Sequence, residues 1–434
     1  MTTLAAVELW GRRIGAVSLA DGADVASFEY DPDFLTSGIQ LAPLAMPLRP
    51  GIFSFPALSR ETFKGLPGLL SDSLPDKFGN ALIDVWLARQ GRLPRSFNAV
   101  ERLCYTGKRG MGALEFTPAI GPNPASSRKV DIDELVKLAS DILANRSDLN
   151  ASFTLAKRNK ALLDILQVGT SAGGARAKAV IAWNETTNEV RSGQVDAGKG
   201  FGYWLLKFDG VAKNRDRELA DPQGFTVIEY AYSQMAIAAG IGMSECRLLE
   251  ENGRRHFMTR RFDRTPNGDK LHMQSLCAMA HFDFNLAGAY GYEQCFLVMR
   301  QLGLPMAAIE EQFRRTAFNI LARNQDDHVK NIAFLMDRTG AWSLSPAFDL
   351  AYSYNPAGAW TAQHQMSMNG KRDGFTLDDF RACGKAALLK RGRAEAIVNE
   401  VAEAVARWPQ FADDAGVAAA LRDTITPALR LDIR

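Results

Sequence analysis

Residues 324–331 read Asn-Gln-Asp-Asp-His-Val-Lys-Asn, with one valine among eight, and the next five, Ile332-Ala-Phe-Leu-Met336, carry no charged or amide side chain. A segment this polar cannot be buried without partners, and a run this apolar cannot be left in water. The junction therefore has to be a short loop anchored by a core strand. Such a loop can hold a carboxylate (Asp326) and an amide (Asn331) at fixed positions beside each other. The same residues also make a plain polar hairpin, with the turn 337–340 leading to Trp342 and Leu344 and the carboxylates solvated. Other parts of the chain have to decide between these readings.

With 434 residues the chain exceeds one ordinary core, so two or three packed parts are expected. Its net charge of +2 excludes a global field for nucleic acid and leaves only local basic patches. The five cysteines (104, 246, 277, 295 and 383) are scattered without a C-x-x-C, which argues against a disulfide framework or zinc site and for a reducing compartment. The five histidines make no H-E-x-x-H pair. No basic-then-apolar leader and no membrane-length apolar run is visible, so a cytoplasmic protein without a membrane partner is expected.

Along the chain, Val7 to Trp10 and Ile14 to Val17 flank a Gly11 turn and read as a hairpin, with 28–30 as a further strand. Pro43 and Pro47 make 41–47 an edge strand or extended loop. A helix opens at Pro75-Asp76 and ends at Gly91, with Phe78, Leu82, Val85 and Trp86 at helical spacing. Residues 110–116 read as a strand, and the Pro/Gly/Ser-rich stretch 118–127 as a linker. A helix follows from Asp131 or Asp133, then strands at 179–183, 201–208 and 257–262. The rest is mainly helical, ending in helices at 377–389 and 393–408. These boundaries give an N-terminal αβ module (1–120), a middle part (128–265) and a mainly helical part (266–434).

Four features of the middle and last parts carry chemistry. Gly173, Gly174, Ala175, Arg176, Ala177 and Lys178 form a small-residue loop whose amides can cradle phosphate, although it lacks the G-K-[ST] ending of a Walker A loop. A strand then delivers Lys207, and a helix starting near Thr226 carries Glu229. The segment 260–262 (Arg260, Arg261, Phe262) reads as a hinge between two lobes. Finally, Asp326 and Asn331 have the five-residue spacing of the kinase H-R-D-x-x-x-x-N loop, and Asp349 follows as a second metal ligand. Phosphoryl transfer needs these parts: a base at the attacking hydroxyl, oxygen ligands for a metal, and a lysine fixed by a glutamate. Each alone has a bland alternative in a turn glycine, a solvated lysine or a surface carboxylate. Their order along one chain favours the kinase reading.

Over nearly its whole length the chain resembles the HipA family of bacterial toxin–antitoxin kinases. The matching motifs are Leu74-Pro-Asp-Lys-Phe-Gly79, Arg109-Gly-Met-Gly-Ala-Leu114, Ser171-Ala-Gly-Gly-Ala-Arg-Ala-Lys178, Asp326-Asp-His-Val-Lys-Asn331, Phe348-Asp349 and Asn369-Gly-Lys-Arg372. The resemblance implies an α+β, bilobal, protein-kinase-like fold related to the phosphoinositide-3-kinase group, with an N-terminal αβ module. It implies a Ser/Thr protein kinase using ATP and Mg²⁺, with translation proteins such as aminoacyl-tRNA synthetases among its targets. It also implies a small helix-turn-helix antitoxin (HipB-like) that carries the complex to operator DNA.

Carried over residue by residue, Asp326 is the base, Asn331 and Asp349 hold the metal, and His328 and Lys330 line the phosphate pocket. Lys207 meets the phosphates, Glu229 orients it, and residues 173–178 cover the nucleotide. Backbone near Arg260 to Phe262 meets adenine. Ser171, with Thr170 beside it, falls where the family autophosphorylates to inhibit itself, and a phosphate there would repel those of ATP. Lys371 and Arg372 match a DNA-proximal basic spot, or make an ordinary surface turn. The chain departs from the family pattern in having Arg260 where some relatives carry an acid, and in lacking the commoner proline of the loop. Two other functions fit the same chain: a bridge between antitoxin and DNA with little catalysis, and a small-molecule kinase.

Overall fold

The computed structural model describes residues 3–121, 129–144, 165–166, 176–194, 196–211, 224–265 and 268–433. Thr170, Ser171, Gly173, Gly174 and Ala175 lie outside the described residues, as does most of the 118–127 linker.

The N-terminal sheet contains β1 (Thr3–Leu9), β2 (Arg12–Leu19), β3 (Ser27–Tyr30), β4 (Ile52–Phe53) and β5 (Leu114–Thr117), in the antiparallel order β4-β3-β2-β1-β5. Leu9 pairs with Arg12 across a two-residue turn, and Trp10 and Gly11 both have positive φ. That is the turn whose twist suits a hairpin. Val7 and Leu9, and Val17 and Leu19, alternate inward, and Ile14, the extra residue where the β1–β2 register shifts, is buried as well. The stretch 41–47 is a loop closed by the bridge Ala42–Met46, the prolines having removed two ladder donors.

The helix Lys77–Ala88 is capped by Asp76, so Pro75 sits one residue before the cap rather than inside the first turn. Phe78, Ala81, Leu82 and Val85, at i, i+3, i+4 and i+7, enter the core of the next part of the chain. Ile83 and Leu87 pack the other way, against Phe97 and Tyr105. The helix is therefore shared between two cores.

The second sheet contains β6 (Lys178–Asn184), β7 (Glu189–Ser192), β8 (Gly202–Lys207), β9 (Cys246–Glu251) and β10 (Arg254–Arg260), ordered β7-β6-β8-β10-β9. The helix Ile132–Ala144 covers it with Ile132, Leu135, Val136 and Ala139. The helix Phe225–Ala238 packs on β9 and β10 and links this lobe to the largest core, which the helices Tyr292–Gln301 and Met306–Leu321 dominate. A third sheet, β11 (His272–Ser275), β12 (Ala333–Met336) and β13 (Trp342–Leu344), carries the catalytic-loop candidates, and all of β12 is buried. Beyond Arg393–Val405 the chain forms two more short helices, Trp408–Ala415 and Ala419–Ile425, so the sequence reading of two terminal helices was incomplete. Trp408 opens the first of these helices and is fully buried against Tyr232.

The N-terminal module docks along the rest of the chain through specific contacts. The Gly68 N–H donates to His281 Nε2 (3.0 Å), and Asp72 accepts from both the amide (2.6 Å) and hydroxyl (2.9 Å) of Ser275. The Gly112 N–H donates to Asp263 (2.7 Å). No helix among the described residues is long and apolar enough to cross a membrane.

Candidate active site

Lys207 ends β8 and is almost fully buried. Its ammonium lies 2.6 Å from Glu229 Oε1, on the helix Phe225–Ala238, and also contacts Asp349 Oδ1. Burial alone would drive the Lys207 pKa down, but Asp349 and Glu229 outweigh it and hold the lysine above its usual value. Burial would likewise raise Asp349, yet Lys207 and Lys178 keep its carboxyl well below the usual range. Asp349 has φ +56°, a left-handed conformation that costs a non-glycine residue roughly 1–2 kcal/mol. A strained backbone at a charged residue facing a cleft is consistent with a side chain placed for binding rather than stability.

Lys178 is the cross-strand neighbour of Lys207, so both project from the same face of the sheet. The Lys178 ammonium lies 3.4 Å from Asp76 Oδ2, and both side chains are buried. The Arg176 guanidinium lies over the Phe225 ring, at the start of the Glu229 helix (5.2 Å). Ala177 is held by its carbonyl, which accepts from the Phe208 N–H.

Across the cleft, Asp326 and Asn331 share one short loop before β12. The Asn331 amide donates to the Asp326 carbonyl (2.8 Å), which locks the loop's width. The Asp326 N–H donates to Ser353 Oγ (3.0 Å), and its carboxylate accepts from Trp360 Nε1 (2.6 Å). Burial raises the Asp326 pKa, while His328 and the Trp360 N–H oppose the rise. His328 Nε2 stands 3.8 Å from Asp326 Oδ1, and its ring lies between Phe284 and Trp360. Lys330 places its ammonium 5.3 Å from the Phe284 ring centroid. The Asp349 charge also reaches the Asp326 carboxylate, so the two halves of the site lie close together.

At the hinge, the N–H groups of Arg260 and Arg261 already donate to Glu245 and Tyr203 carbonyls. Phe262 packs against Phe348 (5.5 Å), and a groove beside it is lined by Tyr203, Ser244, Glu245 and Arg260. The Arg260 side chain, half exposed, turns to Glu245 (3.2 Å). Arg261 forms a buried pair with Asp263 (2.7 Å), which Arg264 joins. Lys371 and Arg372 occupy a separate turn, where Lys371 pairs with Asp379 (2.8 Å) and the Arg372 guanidinium donates to the His364 carbonyl (2.7 Å).

Three parts of the site were not found from the sequence. Trp360 lies in a Gly/Pro/Asn loop, where a lone tryptophan was the available signal. Asp327 points away from the cleft and accepts from Tyr292 (2.6 Å), the His364 ring (2.8 Å) and the Gln365 amide (2.7 Å). Asp76 belongs to the motif Leu74–Gly79, which chain order alone does not place beside Lys178.

A metal here fits a partly exposed ion held by hard oxygen donors. Among the described residues no three His, Cys, Asp or Glu side chains gather into a cage. The Asp349 carboxylate and the Asn331 amide oxygen are the donor types that suit Mg²⁺ shared with phosphates.

Comparison with known proteins agrees with this architecture. Residues 5–117 match the HipA N-terminal domain, and residues 170–408 match the HipA-like C-terminal domain. "Putative kinase Y4mE" of Sinorhizobium fredii is 25% identical over 199 residues, 42% of this chain, which spans about half (47%) of that relative's length. A chain of the Shewanella oneidensis MR-1 toxin–antitoxin complex of HipA, HipB and operator DNA superimposes with a TM-score of 0.67 at 17% identity, covering 98% of this chain and 94% of that one. Both halves of the chain match the family's own domains, and the chain belongs to the HipA family.

Proposed function

We propose that the chain is an ATP- and Mg²⁺-dependent Ser/Thr protein kinase acting as the toxin of a toxin–antitoxin pair. The observation that carries this reading is the buried Lys207–Glu229 pair meeting Asp349 across the cleft from the Asp326–Asn331 loop. Mg²⁺-bound ATP would supply the phosphoryl group and neutralise its developing charge. Asp326 accepts the proton of the attacking hydroxyl, and the Trp360 N–H holds one of its oxygens so that the other faces the substrate. Asn331 and Asp349 offer oxygens to the metal, and Lys207 and Lys178 offer ammonium groups to the phosphates. Lys207 then has to exchange its Asp349 contact for phosphate, while Glu229 keeps it in place.

Asp326→Asn keeps the shape and removes the base. Transfer of radiolabel from ATP to protein should fall by about 10²-fold or more, with nucleotide binding preserved. Undiminished transfer would remove Asp326 from this role, and label in small solutes instead of protein bands would select a metabolite kinase.

The finer reading includes self-inhibition at Ser171, an aminoacyl-tRNA synthetase or similar translation protein as target, and a helix-turn-helix antitoxin that brings the complex to operator DNA. Support for the partner comes from the likeness to a HipA that assembles with HipB and DNA. Lys371, whose side chain is 45% exposed, is the more accessible of the two proposed DNA-facing residues. Phosphoproteomics of wild type against Asp326→Asn tests target and Ser171 together. A Ser171 phosphopeptide that persists in Asp326→Asn purified alone would exclude self-modification.

A further inference from the structure

The N-terminal module is joined to the nucleotide cleft by a charged side chain as well as by apolar packing. Asp76 caps the helix Lys77–Ala88, where its Oδ1 accepts the Gly79 N–H (2.6 Å). Its other oxygen has no hydrogen-bond partner and lies 3.4 Å from the Lys178 ammonium. Lys178 shares a sheet face with Lys207, and Lys330 of the catalytic loop also exerts its field on Asp76. Asp76 thus pairs directly with one of the lysines assigned to the phosphates, and that lysine is the cross-strand neighbour of another. The same helix buries Phe78, Ala81, Leu82 and Val85 in the core beneath β6 and β8, which fixes the carboxylate to that lobe.

We propose that Asp76 is a positioning residue of the nucleotide site, through which the N-terminal module holds the Lys178 ammonium toward the phosphates of ATP. This rests on the kinase reading above. A buried ammonium without a counterion is costly, and a lysine stem without a tether is loose. A carboxylate 3.4 Å from Nζ meets both requirements, and the sheet face that Lys178 shares with Lys207 sets the direction in which the ammonium is held. The module is then part of the ATP site and does more than shield the kinase lobes.

Asp76→Asn is the informative variant, because asparagine caps a helix as well as aspartate does and only the charge is lost. With the full chain and the fluorescent analogue mant-ATP plus Mg²⁺, its Kd should rise about tenfold, equivalent to about 1.4 kcal/mol. The loss should appear in KM for ATP, with kcat at saturating ATP falling much less. In a Lys178→Met background, Asp76→Asn should add little, since the effect runs through that lysine. Should Asp76→Asn fail to fold, Asp76→Ser preserves a capping oxygen and answers the same question. Unchanged or tightened binding in a folded Asp76 variant would overturn the inference, as would full additivity with Lys178→Met. A wild-type chain that binds no mant-ATP would instead overturn the kinase reading, and this inference with it.

Discussion

Asp326 and Asp327 are adjacent in sequence and face opposite environments. The Asp326 side chain is 36% exposed and faces the cleft, whereas the Asp327 side chain is fully buried in a set of three donors. Only the first is open to a proton acceptor or donor from outside the chain. Its geometry depends on Trp360, whose Nε1–H reaches one carboxylate oxygen (2.6 Å). Trp360→Phe retains an aromatic ring and removes that donor. A hydrogen bond to a charged group contributes about 1.5–3 kcal/mol, so kcat should fall roughly tenfold or more with KM for ATP little changed. Steady-state kinetics on purified protein checks this, and an unaltered kcat would mean that Trp360 only packs. That Asp326 lies beside Asn331 and Lys207 beside Glu229 was legible in the sequence because their order and spacing follow a kinase-like pattern. Trp360 and Asp76 were not, since each reaches the site from a segment that chain order does not place beside it.

At the scale of elements, the loop 324–331 is held between a helix and the segment after Asp349. Asp327 makes that connection: Tyr292 comes from the helix Tyr292–Gln301, and His364 and Gln365 come from the later segment. Burial would raise its carboxyl, but the His364 ring and the Tyr292 hydroxyl hold it below the usual value. Asp327→Ala strands three buried groups at once and should cost about 3–5 kcal/mol, seen as a lowered melting temperature and denaturation midpoint. Tyr292→Phe removes one donor and should cost about 1–2 kcal/mol. Equal, small losses would show that the network is slack. Most strands and long helices were readable because periodicity reports which face is buried. The last two helices were not, being eight and seven residues long, too short for a period to declare itself. The helix Lys77–Ala88 was placed correctly but read as belonging to one module. A single sequence shows that a helix has two apolar faces, not which core each one enters.

For the whole molecule, the N-terminal module is held on the rest of the chain by both apolar packing and hydrogen bonds. The apolar contacts between them are insensitive to pH, but the Gly68–His281 contact is not. The Gly68 N–H donates to His281 Nε2, so that nitrogen must be unprotonated for docking. A Cβ at Gly68 would come within 2.3 Å of the Ala278 carbonyl oxygen, so the two elements touch backbone to backbone. Burial pushes His281 down to about 4, His256 to about 4 and His272 to about 3. Each is depressed below an unfolded value of about 6.5, so the unfolded chain binds more protons in acid. Their contribution to stability is complete above about pH 6.5 and is lost as the pH falls toward 4. At pH 5 the loss for His272, which is almost fully buried, should be on the order of 2 kcal/mol. Thermal melts from pH 7.5 to 5 should therefore slope downward before the carboxylates begin to protonate. His281→Gln offers an acceptor that does not titrate in this range, so it should flatten part of that slope and remove the weakening of docking between pH 7.5 and 5, measured as protection from hydrogen exchange at 60–72. Gly68→Ala should loosen the same contact at every pH, because its added methyl group meets a carbonyl oxygen regardless of charge. A pH slope that survives intact in His281→Gln would place the acid-sensitive element at His256 and His272, away from the junction.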